Sequence, residues 1–76
     1  MARERLNNRL QYIARHTSKT LTVESYKPGR DMLYSLHEVI NEQGGLHKIS
    51  DYMRHDKMLI YLDGWCDAIQ ELIRKG

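Results

Sequence analysis

The sequence predicts an α+β domain of order helix, three-stranded antiparallel β-meander, helix (αβββα), with both helices packed on one sheet face. Three observations carry this expectation. Apolar residues recur at helical spacing near both ends of the chain, they alternate with period two in the middle, and Pro-Gly and Gly-Gly pairs punctuate that middle section. Residues 1–76 read as a single small α+β domain, with no repeat, low-complexity tract or linker to divide them. A domain of this size buries only about 60% of the surface its unfolded chain exposes, so association with a second copy is an open option.

In ERLNNRLQYIARHT, Leu6, Leu10 and Ile13 fall at i, i+4 and i+7 and share one helical face. Arg5, Arg9, Tyr12 and His16 run along the adjacent flank, giving helix 1 a basic stripe beside its apolar one. Past Thr17 and Ser18 the period becomes two. Leu21 and Val23 alternate with Thr22 and Glu24 in a half-buried strand pattern. YKPGRD then supplies a turn in which Pro28 presets φ at the second position and Gly29 takes the positive φ that a type II turn requires at the third. MLYSLHEVI follows as a strand with Met32, Tyr34 and Leu36 on one face and Leu33, His37 and Val39 on the other. NEQGG breaks the chain again, and LHKISDYM, residues 46–53, is the expected third strand, although it alternates poorly.

From Asp56 onward the pattern is helical, and a carboxylate in the first turn suits the positive end of the helix dipole. At 100° per residue, Met58, Leu59, Tyr61, Leu62, Trp65, Cys66, Ala68, Ile69, Leu72 and Ile73 fill half the helix surface, with Ile60 on the other half. A stripe of roughly 100° is enough to dock one surface. The wider arc therefore predicts two contacts, such as the sheet and helix 1, and a dimer interface would also account for it. Trp65 and Cys66 lie inside the arc, where the expectation is core packing rather than thiol chemistry. Gly64 sits on the polar side, which implies either a close approach to its backbone or a tolerated loss of helix propensity.

The net charge of +2 conceals an asymmetry. Residues 1–20 carry five basic residues against Glu4 and are +4, which leaves the remainder at −2. Such a split serves an acidic partner or the chain's own acidic half. The single cysteine excludes an internal disulfide and reads as a cytoplasmic chain. No apolar run spans a bilayer, and the N-terminal segment lacks the apolar core of a signal peptide, so no membrane partner is expected.

Candidate chemistry is sparse. His47, Asp51 and His55 are spaced by four and would share one face of a helix, but on a strand and loop they diverge, so no metal or other cofactor is expected. The four histidines read as surface or edge residues. Ser25, Ser35 and Ser50 carry no nucleophile motif, and so small a domain seldom encloses a cleft, so catalysis is not expected. The order of helix, three strands and helix is also that of the double-stranded-RNA-binding domain. The motifs differ, since Lys27, Pro28, Gly29 and Arg30 stand where that family has Gly-Pro-x-His, and Arg54, His55, Asp56 and Lys57 where it has a lysine cluster. No site residue is carried over from it. A basic stripe on helix 1 still makes nucleic acid the alternative partner. Asp63, Asp67 and Glu71 form a like-charge row at i, i+4 and i+8 on helix 2, flanked by Lys57 and Arg74. That row is a solvated face, an acidic patch for a basic partner, or a match for the helix 1 arginines of a second copy.

The stretch MRHDKMLIYLDGWCDAIQEL, with Tyr61-Leu62-Asp63-Gly64 at its centre, resembles the last helix of many small proteins from tailed phages and prophages of low-GC Gram-positive bacteria. The resemblance implies an accessory factor that binds a host protein, with inhibition of a defence or replication component as the most concrete role. The expected contacts are Arg5, Arg9, Tyr12, Lys27 and Arg30 on a basic face, and Asp63, Asp67 and Glu71 on an acidic one.

Overall fold

The computed structural model describes residues 2–75. Helix α1 (Ala2–His16) is followed by strands β1 (Leu21–Tyr26), β2 (Leu33–Val39), β3 (Leu46–Lys48) and β4 (Met53–Arg54) and by helix α2 (His55–Lys75). This is the expected α+β order, with a short fourth strand added. All pairings are antiparallel, β2 is central, and β1 lies on one side of it while β3 and β4 share the other.

Register explains which strand residues reach the core. Residues opposite one another in an antiparallel pair project to the same side. Val23 opposite Leu36 and Met53 opposite Tyr34 therefore share a face. That face meets the helices, because the core consists of Leu21, Val23, Tyr34 and Leu36 together with Leu6, Leu10 and Ile13 from α1 and Met58, Leu62 and Ile69 from α2. Both helices thus cover one sheet face. On the reverse face Tyr26 and Tyr52 meet with ring centroids 5.3 Å apart, and the Ser35 hydroxyl lies 2.8 Å from His37 Nε2.

The single third strand expected over residues 46–53 is instead two short strands. β3 ends opposite His37 and β4 resumes opposite Tyr34, so four residues, 49–52, face only Ser35 and Leu36. This is a bulge. The amides of Ile49 and Ser50 both donate to Leu36 O (2.8 and 3.2 Å), and Ser50 Oγ accepts from the Leu36 amide at 3.1 Å. Continuous pairing would have placed Asp51 opposite Tyr34, on the face the helices cover. Burying an unpaired carboxylate is costly. The bulge leaves Asp51 exposed, 2.6 Å from Lys48 Nζ, and gives the position opposite Tyr34 to Met53. The ammonium beside it lowers the Asp51 pKa from its ordinary value, and the carboxylate raises that of Lys48.

The turns also depart from expectation. Gly29 has no positive φ, so Pro28-Gly29 does not form a type II turn. The chain reverses over residues 27–32, long enough to need no left-handed residue, and Arg54 Nη2 donates to Asp31 Oδ2 at 2.7 Å across it. Among the described residues positive φ falls at Gly44 alone (85°), in the β2–β3 connection. There Asn41 Oδ1 accepts from the amides of Gln43 (3.0 Å) and Gly45 (2.9 Å), and the Ile40 amide closes the loop onto Gly45 O at 2.9 Å. A Cβ on Gly45 would fall 2.4 Å from Asn41 Nδ2, so any larger residue there would displace that side chain from its place over the loop.

The broad apolar arc of α2 is only partly buried. Met58, Leu62 and Ile69 are buried, Trp65 and Cys66 are half-buried against the core, and Tyr61, Ala68, Leu72 and Ile73 are exposed. Trp65 and Cys66, expected to pack in the core, do pack against it, but at its margin and only half-buried. α2 has 21 residues against 15 in α1, and its last turns carry the exposed Leu72 and Ile73 beyond the last buried residue, Ile69.

Candidate functional site

The helices determine where the charged rows lie. Leu6, Leu10 and Ile13 turn the apolar stripe of α1 into the core, which sets Arg5 and Arg9 along its border. On α2 the same constraint, imposed by Met58, Leu62 and Ile69, brings Asp63 to the seam between the helices. Arg9 Nε donates to Asp63 Oδ1 at 2.7 Å, and Arg9 Nη1 donates back to Arg5 O at 3.1 Å. The acidic and basic rows therefore meet within one chain through their half-buried members. A pair as solvent-accessible as this contributes at most about 1 kcal/mol. Its main effect is geometric, since it fixes one guanidinium and one carboxylate against each other.

The other basic residues are distributed around the molecule. Arg5 is exposed beside the seam. Tyr12 packs against the core margin and against the His16 ring, with centroids 4.5 Å apart. Lys27 and Arg30 are exposed in the β1–β2 connection, and Arg3 Nη2 is directed to Val23 O at 3.2 Å. On the acidic side, Asp67 and Glu71 stay exposed and line a shallow depression with Gln70 and Arg74. Arg9 and Asp63 are thus joined, and Asp67 and Glu71 continue the acidic row into solvent.

Cys66 lies next to this seam. Burial pushes its thiol pKa up, Asp63 and Asp67 add to the rise, and Arg9 opposes it. The thiol is consequently held in its protonated, weakly nucleophilic form at neutral pH.

Two features were not anticipated from sequence. An open cleft at the β4–α2 junction is lined by Asp31, Met32, Tyr34, Arg54, His55 and Asp56, with the Tyr34 and His55 rings edge to face at 5.9 Å. An apolar groove lies nearby, formed by Met53, Lys57, Ile60 and Tyr61. Both depend on β4 running directly into α2, a junction that the expected continuous third strand obscured. His47 sits exposed on β3, Asp51 in the bulge and His55 at the start of α2. Among the described residues no group of three or more His, Cys, Asp or Glu side chains gathers as a metal site would require, and no helix is long and apolar enough to cross a membrane.

These observations define a small α+β domain whose two helices expose a mixed-charge face. Comparison with protein-family models, curated proteins and solved structures gives no match for the chain.

Proposed function

We propose that this domain is a non-catalytic binding protein whose partner is a protein, recognised through the exposed acidic end of α2 and the neighbouring basic residues. The observation that carries this reading is the Arg9–Asp63 pair. A phosphate-binding stripe needs its guanidinium groups available and its surroundings free of anions. Here one arginine of the stripe is engaged by a carboxylate, and Asp67 and Glu71 continue the acidic row away from it. A mixed-charge face suits a protein partner, for which charge complementarity sets orientation and specificity. Together with the likeness of the last helix to small phage and prophage proteins, this supports an accessory factor acting in the cytoplasm of a bacterial host, where it inhibits a defence or replication component.

Nucleic acid is the second reading, favoured by Arg5, Lys27 and Arg30, which remain exposed. A tagged copy passed through a Gram-positive host lysate, with and without nuclease, separates the two. The protein reading expects one discrete host protein that survives nuclease and is lost with Asp67→Lys. Retention that disappears on nuclease treatment would overturn it.

A further inference from the structure

Beyond binding a host partner, we propose that the outer face of α2 is a self-association surface, on which a second copy of the chain docks antiparallel with its crossing point at Gly64. Four observations converge on this face. Gly64 is exposed in the middle of a long helix, and a Cβ built there meets nothing within 4 Å, so the fold of the single chain gives no reason for the residue least suited to a helix interior after proline. One turn before it, Ile60 and Tyr61 stand 70% and 38% exposed beside the groove that they form with Met53 and Lys57. One turn after it, Ala68 is small and exposed. Lys57 and Glu71 are also exposed, and each lies seven positions from Gly64 on opposite sides.

Those spacings are self-complementary. In an antiparallel pair centred on Gly64, the turn with Ile60 and Tyr61 that precedes the glycine in one copy lies over the turn with Asp67 and Ala68 that follows it in the other. Tyr61 then packs over Ala68, while Gly64 permits the backbones to approach closely. Seven residues correspond to about 10 Å along the axis. Lys57 of each copy therefore meets Glu71 of the other, and the charge match is made twice by symmetry. A parallel arrangement would place Lys57 against Lys57 and Glu71 against Glu71. Charge thus selects both the occupant and its direction.

The test uses the purified full chain and no host partner, so its result does not depend on the host-binding reading. Sedimentation equilibrium across a concentration series is expected to show the mass rising from 9.0 kDa toward twice that value. Lys57→Glu sets like charges opposite one another and is expected to weaken the dimer roughly tenfold, and Lys57→Glu/Glu71→Lys to restore it. Gly64→Gln adds a good helix former where there is open space. It is expected to raise the melting temperature of the dilute monomer while abolishing dimerisation, which separates loss of association from loss of fold. A wild-type mass that stays at 9.0 kDa at every concentration would overturn the proposal, as would a dimer indifferent to these substitutions.

Discussion

Leu62, Trp65 and Leu72 lie on the same apolar arc of α2, yet the structure assigns them different energetic weights. Leu62 is fully buried, Trp65 is half-buried at the core margin, and Leu72 is 71% exposed. Leu62→Ala removes three carbons from the core. At about 0.8 kcal/mol per buried methylene this costs about 2.4 kcal/mol in transfer free energy. The unfilled cavity brings the total to about 3 to 4 kcal/mol. A chain of this length has a stability of roughly 4 to 11 kcal/mol, so much of it is at stake. Trp65→Ala, which would cost about 3 to 5 kcal/mol at a fully buried site, is expected to cost about 2 kcal/mol where the side chain is only partly enclosed. Leu72→Ala is expected to change stability by less than about 0.5 kcal/mol. Urea unfolding followed by far-UV circular dichroism on dilute protein measures all three. In thermal melts the Leu62 variant should fall by at least about 12 °C, since 1 kcal/mol shifts a small domain by about 4 to 8 °C. Equal losses at the three positions, or a Trp65 variant less stable than the Leu62 variant, would refute this placement of the core.

Three further outcomes follow from the seam and the loop. Asp63→Asn removes an anion that raises the Cys66 pKa and releases Arg9, which lowers it, so the thiol should ionise more readily and react faster with iodoacetamide at mildly alkaline pH. Because the folded thiol titrates above its unfolded value, its stabilising contribution is complete below the unfolded pKa and is lost as pH rises through the folded one; alkaline unfolding of the wild type should reflect that sign, and Cys66→Ser should weaken the dependence. Gly45→Ala forces the Asn41 side chain out of its place over the loop and gives up its bonds to the Gln43 and Gly45 amides, so calorimetry should show a loss of about 1 kcal/mol.

Periodicity exposed most of the architecture. Leu6, Leu10 and Ile13 at helical spacing, and Leu21 and Val23 at strand spacing, are all buried as their pattern implies. The parts that escaped depend on energies between elements. Splitting the third strand requires knowing that Asp51 would otherwise face the helices, and this follows from its register against β2 rather than from LHKISDYM alone. Pro28-Gly29 suits a type II turn locally, but the reversal is spread over residues 27–32 beneath the Asp31–Arg54 pair, 23 positions apart in sequence. The half-burial of Trp65 reflects how far the α1 and sheet surfaces extend over α2, a property of packing invisible in the α2 sequence. The charged rows were legible as rows. Their meeting at Arg9 and Asp63, separated by 54 positions, was not.

The most direct test of the account is whether the basic stripe of α1 binds nucleic acid. Fluorescence anisotropy of labelled duplex RNA, titrated with the wild-type chain at low salt and again at about 0.15 M salt, measures this. With Arg9 held by Asp63, the expected result is weak, non-saturating binding that vanishes at the higher salt. Tight saturable binding that persists there, is lost with Arg5→Ala/Arg9→Ala and is indifferent to Asp67→Lys, would contradict the protein-binding account and make the stripe a nucleic-acid site.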